Sequence, residues 1–227
     1  MHSAKIKRVR DLLASSGAAG VLLSTHDNVF YASGFSSVMD GWHLIEPIAA
    51  VFIPTDAQLP IVLILPEASI ISLIVSERGG HPVHYERIAT FDMLNFCQTA
   101  RAEDAHLALP DDLLAELGEV MKRVEGQCEH DIIKTIAATL TRHVDPGDCV
   151  LFDDLRVAHH IRAITGQTTG DALDIMLAAR AIKTADELAL LRESGAIADD
   201  IMAHTISLLG VGASWGEVEK GVAQYMI

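Results

Sequence analysis

Asp153, Asp154, His159 and His160 bring two carboxylates and two imidazoles into one short stretch of the chain. Such groups can ligate a divalent metal, which would polarise a carbonyl or generate a nucleophilic hydroxide from bound water. Asp154 and His159 could face one another across the start of a helix. Their spacing matches no zinc signature, and the plainer reading is preferred. Asp153 and Asp154 would cap a helix beginning at Leu155, where the positive end favours carboxylates, and the histidines would lie on its flank. Asp200 and His204 stand four apart on another helical stretch, a spacing suited to a charge-assisted hydrogen bond on an exposed or interdomain face.

The remaining chemical groupings are weaker. His43-Leu-Ile-Glu46 lacks the second histidine of a metallopeptidase helix. Cys128-Glu-His130 pairs a thiol with an imidazole but places no third member beside them. Gly166-Gln-Thr-Thr-Gly170 carries no lysine and reads as a polar loop. No Gly-x-Gly-x-x-Gly fingerprint is present, which removes the usual dinucleotide reading.

The chain has 227 residues, 50% of them hydrophobic, and a net charge of −14. It can build a large core, and its acidity argues against nucleic acid, whose phosphates require a basic footprint. The basic cluster Lys5, Lys7, Arg8 and Arg10 suits the exposed face of a first helix. Cys97, Cys128 and Cys149 are odd in number and widely spaced, as reduced cytoplasmic thiols would be. No apolar run approaches a membrane span, and Asp11, Ser15 and Ser16 interrupt any signal peptide. A cytoplasmic protein without membrane or nucleic-acid partners is expected.

Hydrophobic periodicity sets out the elements that must position these groups. Ile6, Val9, Leu12 and Leu13 define an opening helix closed by Gly17, and Ala18–Leu23 reads as a buried strand. His26–Asn28 reads as a turn, Val29–Tyr31 as a short strand and Gly34–Gly41 as a loop. Ile48–Ile53 and Ile61–Leu65 are adjacent strands joined through Pro54. Glu67–Arg78 is a helix, and Val83–Tyr85 a strand. Phe91–Ala100, Pro110–Val124, Asp131–Val144 and Arg156–Ile164 are predicted helices. Ala105–Leu109 and Cys149–Phe152 are predicted strands, Thr165–Gly170 a loop, and Ala172–Leu177 a lead into a linker. This alternation predicts an α/β domain, a mixed β-sheet flanked by helices on both faces.

Two capping boxes follow. Thr184-Ala-Asp-Glu187 opens a long helix with apolar positions at Leu188, Leu191, Ala198, Ile201 and Leu208. Ser214-Trp-Gly-Glu217 opens a second, supported by Val218, Val222 and Tyr225, which the sequence leaves at Ile227 without a stop signal.

Arg180, Ile182, Lys183, Thr184, Glu187 and Leu188, followed by Gly212, Ser214 and Glu217, resemble the entry into the catalytic domain of the creatinase/prolidase (Xaa-Pro peptidase) family. Near the front, Asn28-Val-Phe-Tyr31-Ala-Ser-Gly34-Phe35, preceded by Arg8–Leu13 and Gly20–Leu23, is similar to that family's amino-terminal domain. The resemblance covers nearly the whole chain. It implies a creatinase/prolidase-like amino-terminal domain over residues 1–178 and a truncated start of the pita-bread catalytic domain over 179–227.

The resemblance also implies that the intact enzyme is a homodimeric hydrolase acting on an Xaa-Pro peptide or related small amide. In most members two divalent metal ions (Mn, Zn or Co) are held by two Asp, one His and two Glu of the carboxyl-terminal domain. No residue of this sequence is assigned to that set, so the chain is expected to be inactive alone and to contribute dimerisation and substrate gating. In family dimers the loop after the Tyr-x-x-Gly segment closes part of the partner's substrate pocket, which here points to Phe35, Trp42 and His43. Phe35 and Trp42 serve equally well to pack the loop on the sheet. Two other readings stand beside this one: a non-enzymatic protein-binding module complete at residue 227, and an enzyme of another type using Asp153, Asp154 and His159.

Overall fold

The computed structural model describes residues 2–37, 47–93 and 110–227. It divides into two compact units, His2–Ala181 and Ile182–Ile227.

In the first unit, β1 (Gly20–Leu23), β2 (Ala50–Pro54), β3 (Val62–Pro66), β4 (Arg87–Phe91), β5 (Cys149–Phe152) and β6 (Thr168–Asp171) form a six-stranded sheet of order β4-β3-β2-β1-β5-β6. β2 pairs antiparallel with β1 and β3, while β3–β4, β1–β5 and β5–β6 are parallel, so the sheet is mixed as expected. Parallel neighbours need crossovers. α3 (Ile70–Arg78) lies between β3 and β4 in the chain, and α6 (Leu155–Thr165) between β5 and β6.

The central strands are apolar along their whole length because both faces are covered. Val21, Leu23, Val51, Ile53, Leu63, Leu65 and Ile88 face one core with α1 (His2–Ser16), α3 and α7 (Leu173–Ala181). The alternate residues Leu22, Phe52, Val62, Ile64, Ala89, Val150 and Phe152 face a second core with α5 (Ile132–His143) and α6. α4 (Asp111–Met121) joins the first core through Val120. Gly20 allows β1 and β2 to close on each other: a Cβ there would stand 2.7 Å from the Phe52 ring and 2.8 Å from the Ile53 carbonyl oxygen.

Several local expectations are overturned. The segment read as a turn and the strand Val29–Tyr31 is helix α2 (His26–Ser33). Its residues suit a strand, but Gly34 in the left-handed region (φ 76°) caps the helix, donating its N–H to the Phe30 carbonyl. The strand expected at Val83–Tyr85 lies further on, at β4. Val83 and Tyr85 are buried without joining the ladder, and the backbone there bonds elsewhere, His84 N–H to the Ser33 carbonyl at 2.7 Å. Phe91 ends β4 rather than starting a helix, and Ala105–Leu109 lies outside the described residues.

The loop expected at Thr165–Gly170 contains the start of β6. That strand is Thr-Thr-Gly-Asp, polar and only partly buried, so hydropathy does not reveal it. The segment read as a lead into a linker is helix α7, which continues to Ala181.

The second unit is a pair of helices, α8 (Ala185–Leu208) and α9 (Trp215–Tyr225). Both capping boxes form. Thr184 Oγ1 accepts from the Glu187 N–H at 3.2 Å while the Glu187 carboxylate accepts from the Thr184 N–H at 2.7 Å. Ser214 and Glu217 repeat the exchange at 3.4 and 2.9 Å. Gly221 sits against Leu208, which a Cβ would approach to 2.6 Å.

Candidate functional site

β1 and β5 run parallel and adjacent, and their carboxyl ends deliver Ser24–Thr25 and Asp153–Asp154 to one edge of the sheet. In open α/β sheets this edge is where ligands bind. Here protein groups occupy it. Asp153 Oδ1 accepts from the Ser24 N–H (2.8 Å) and hydroxyl (3.3 Å). Asp153 Oδ2 accepts from the Thr25 N–H (3.1 Å), the Thr25 hydroxyl (2.5 Å) and the Asn28 amide (2.9 Å). Both oxygens are thus spent on the start of α2, where the helix dipole favours a carboxylate. Asp153 therefore braces α2, not α6 as its position in the sequence suggested.

Asp154 is the α6 cap, accepting from the Arg156 N–H at 2.8 Å. The Arg156 guanidinium grips the same carboxylate, Nη2 to Oδ2 at 2.7 Å, and holds its pKa below the ordinary range. His159 and His160 are exposed and meet edge-on at 6.0 Å. Among the described residues no group of three or more His, Cys, Asp or Glu side chains could hold a metal ion.

The two sequence motifs meet along α2, where it faces the end of α7. Asn28 Oδ1 accepts from Arg180 Nη1 at 3.1 Å. The buried Tyr31 hydroxyl donates to the Ala179 carbonyl at 3.1 Å, and Arg8 Nη1 donates to the same oxygen at 3.0 Å. Lys5 Nζ lies 4.9 Å from the centre of the Tyr31 ring. A helix's last carbonyls lack partners within the helix, and here donors from α1 and α2 supply one. Tyr31, read from the sequence as part of a short strand, lies on α2 and anchors the end of α7.

Phe35 is 3% exposed and belongs to the first core, its N–H donating to the Ser33 hydroxyl. Trp42, His43 and Glu46 lie outside the described residues. Within the second unit, Asp200 does not pair with His204. It accepts from the Tyr225 hydroxyl at 2.6 Å, while the His204 and Tyr225 rings stack at 4.0 Å. The Cys128 thiol donates to the Glu129 carbonyl at 3.8 Å, and burial pushes its pKa up, away from a reactive thiolate. Sequence reasoning missed the joining of Asn28 to Arg180, although both belonged to recognised motifs. It also missed a stack of His2 on His84, ring centroids 4.0 Å apart, for which spacing carries no signal.

No family model matches the sequence, and no curated protein matches it. Solved structures do. A prolidase from Thermococcus sibiricus superposes with a TM-score of 0.61 at 16% identity, covering 100% of this chain and 49% of that one. An Xaa-Pro dipeptidase from Bacillus anthracis gives 0.62 at 16% identity, with coverage of 100% and 49%. A prolidase from Pyrococcus furiosus gives 0.59 at 14% identity, with coverage of 97% and 51%. The chain therefore has a prolidase-type fold: a mixed six-stranded sheet covered by helices, followed by the capped pair α8 and α9. It spans about half the length of these prolidase and dipeptidase chains.

Proposed function

We propose that this chain is the amino-terminal part of a cytoplasmic, homodimeric creatinase/prolidase-type hydrolase acting on an Xaa-Pro peptide or related small amide. The observation that carries the reading is the superposition of the entire chain on about half of a prolidase. The clamp of Asn28 and Tyr31 on Ala179 and Arg180 supports it, because it joins the two motifs on which the resemblance rests.

In this reading the chain supplies dimerisation and substrate gating, and two divalent metals belong to the catalytic domain of the intact enzyme. The segment after Gly34 does the gating: buried Phe35 fixes its base, and Trp42 and His43 shield substrate. The test is an assay of the purified 227-residue chain with Mn, Zn or Co and Xaa-Pro dipeptides. No turnover is expected, and metal-dependent hydrolysis would overturn the division of labour. Light scattering should find a dimer.

One observation favours a second reading, a protein-binding module. α8 buries none of its residues, leaving Leu190, Leu191, Ile197, Met202 and Ile206 exposed. Such a face seeks cover. Monodisperse, monomeric behaviour without a stable partner would count against it.

A further inference from the structure

Beneath α1 lies a cleft of about 760 Å³, bounded by the helix, the Pro82–Glu86 segment and Arg123, which follows α4. That size is within the ~300–1,000 Å³ of small-molecule sites. Two polar groups at it are left unused by the fold. Tyr85 is 9% exposed, and its buried hydroxyl finds no acceptor among the described residues. The exposed Arg123 guanidinium lies 5.4 Å from the centre of the Tyr85 ring and has no carboxylate partner among the described residues.

Burial pushes the Tyr85 phenol above its ordinary pKa and keeps it a neutral donor. A cation and a donor therefore stand together, neither with a carboxylate partner among the described residues, and an oxyanion complements both. Other cations at the cleft are already committed: Lys7 pairs with Asp11 at 2.6 Å, and Arg10 donates to the Pro54 and Leu59 carbonyls. Glu77 and Glu86 line the same cleft and oppose a second negative charge. The complement is a monoanion, not a phosphate dianion. Ile6, Ile61 and Val83 supply apolar wall for the rest of a ligand.

We propose that the cleft under α1 binds a small monocarboxylate, its carboxylate held by Arg123 and Tyr85 and its apolar body resting on Ile6, Ile61 and Val83. The site is independent of the prolidase reading. Benzoate is the probe, and benzamide its neutral isostere. Calorimetry and amide shifts on the 227-residue chain should detect benzoate and not benzamide. Arg123→Gln should weaken benzoate about tenfold or more, the loss of one charged hydrogen bond. Tyr85→Phe removes only an unpaired hydroxyl, so the fold survives, and binding should weaken severalfold. Absence of benzoate binding up to about 10 mM, equal binding of benzamide, or unchanged affinity in both variants would overturn the assignment.

Discussion

Replacing Asp153 by Asn tests whether this carboxylate is a structural brace. It accepts from two backbone N–H groups, two hydroxyls and one amide. Hydroxyls can rotate to accept from an Asn NH2, but N–H groups cannot. With the NH2 on the Oδ2 side, it would confront both the Thr25 N–H and the Asn28 amide. The cheaper orientation puts it on the Oδ1 side and orphans the Ser24 N–H, on a residue only 7% exposed. An unsatisfied buried donor costs about 1–3 kcal/mol, and the bonds that remain lose their charge assistance. Asp153 is itself partly exposed, which tempers the sum to about 3 kcal/mol. For a unit of this size that is a fall in Tm of about 6–12 °C.

Thermal unfolding followed by circular dichroism reads the total, and hydrogen exchange at the Ser24 and Thr25 amides reads the local opening. Asp154→Asn is the control. Asn caps helices about as well as Asp, and Arg156 is exposed, so its cost should stay below about 1 kcal/mol. A loss under about 0.5 kcal/mol for Asp153→Asn, or the same loss in both variants, would refute the brace.

Three further outcomes are expected. Gly20→Ala drives a methyl into the Phe52 ring and the Ile53 carbonyl and should cost about 1–3 kcal/mol in urea unfolding; a midpoint like that of the parent would show that β1 and β2 can part. Thr184→Ala should cost α8 about 1 kcal/mol, seen as faster amide exchange in its first turn, while Thr184→Ser keeps the box. His2 should titrate near pH 4 rather than 6.5, because burial and then His84 and Lys5 disfavour its charge. The folded state then binds fewer protons than the unfolded, so this contribution is complete above about pH 6.5 and fades as the pH falls toward 4. An NMR midpoint above 6 would contradict it.

Most of the sheet and helices were legible because their apolar periodicity is strong. The runs around Val51 and Leu63 read as strands, and Ile132–His143 as a helix, since burial of those faces leaves the backbone few alternatives. Both capping boxes were legible because Thr184–Glu187 and Ser214–Glu217 satisfy their own backbone groups locally. β6 was not, because a polar edge strand is defined by its pairing with β5 and not by its own side chains. α2 was not, because its amino end is secured by a carboxylate more than a hundred residues downstream. The role of Asp153 was hidden for the same reason. Its neighbour Asp154 bonds within its own helix and was read correctly as a cap, whereas Asp153 reaches across the sheet.

The clamp on Ala179 also imposes an order of events on a chain made from its amino end. Its two donors precede their shared acceptor by 148 and 171 positions. Until α7 emerges, the Tyr31 hydroxyl and the Arg8 guanidinium have no carbonyl there to bond, however complete the strands between them. The end of α7 thus waits on side chains that were synthesised first.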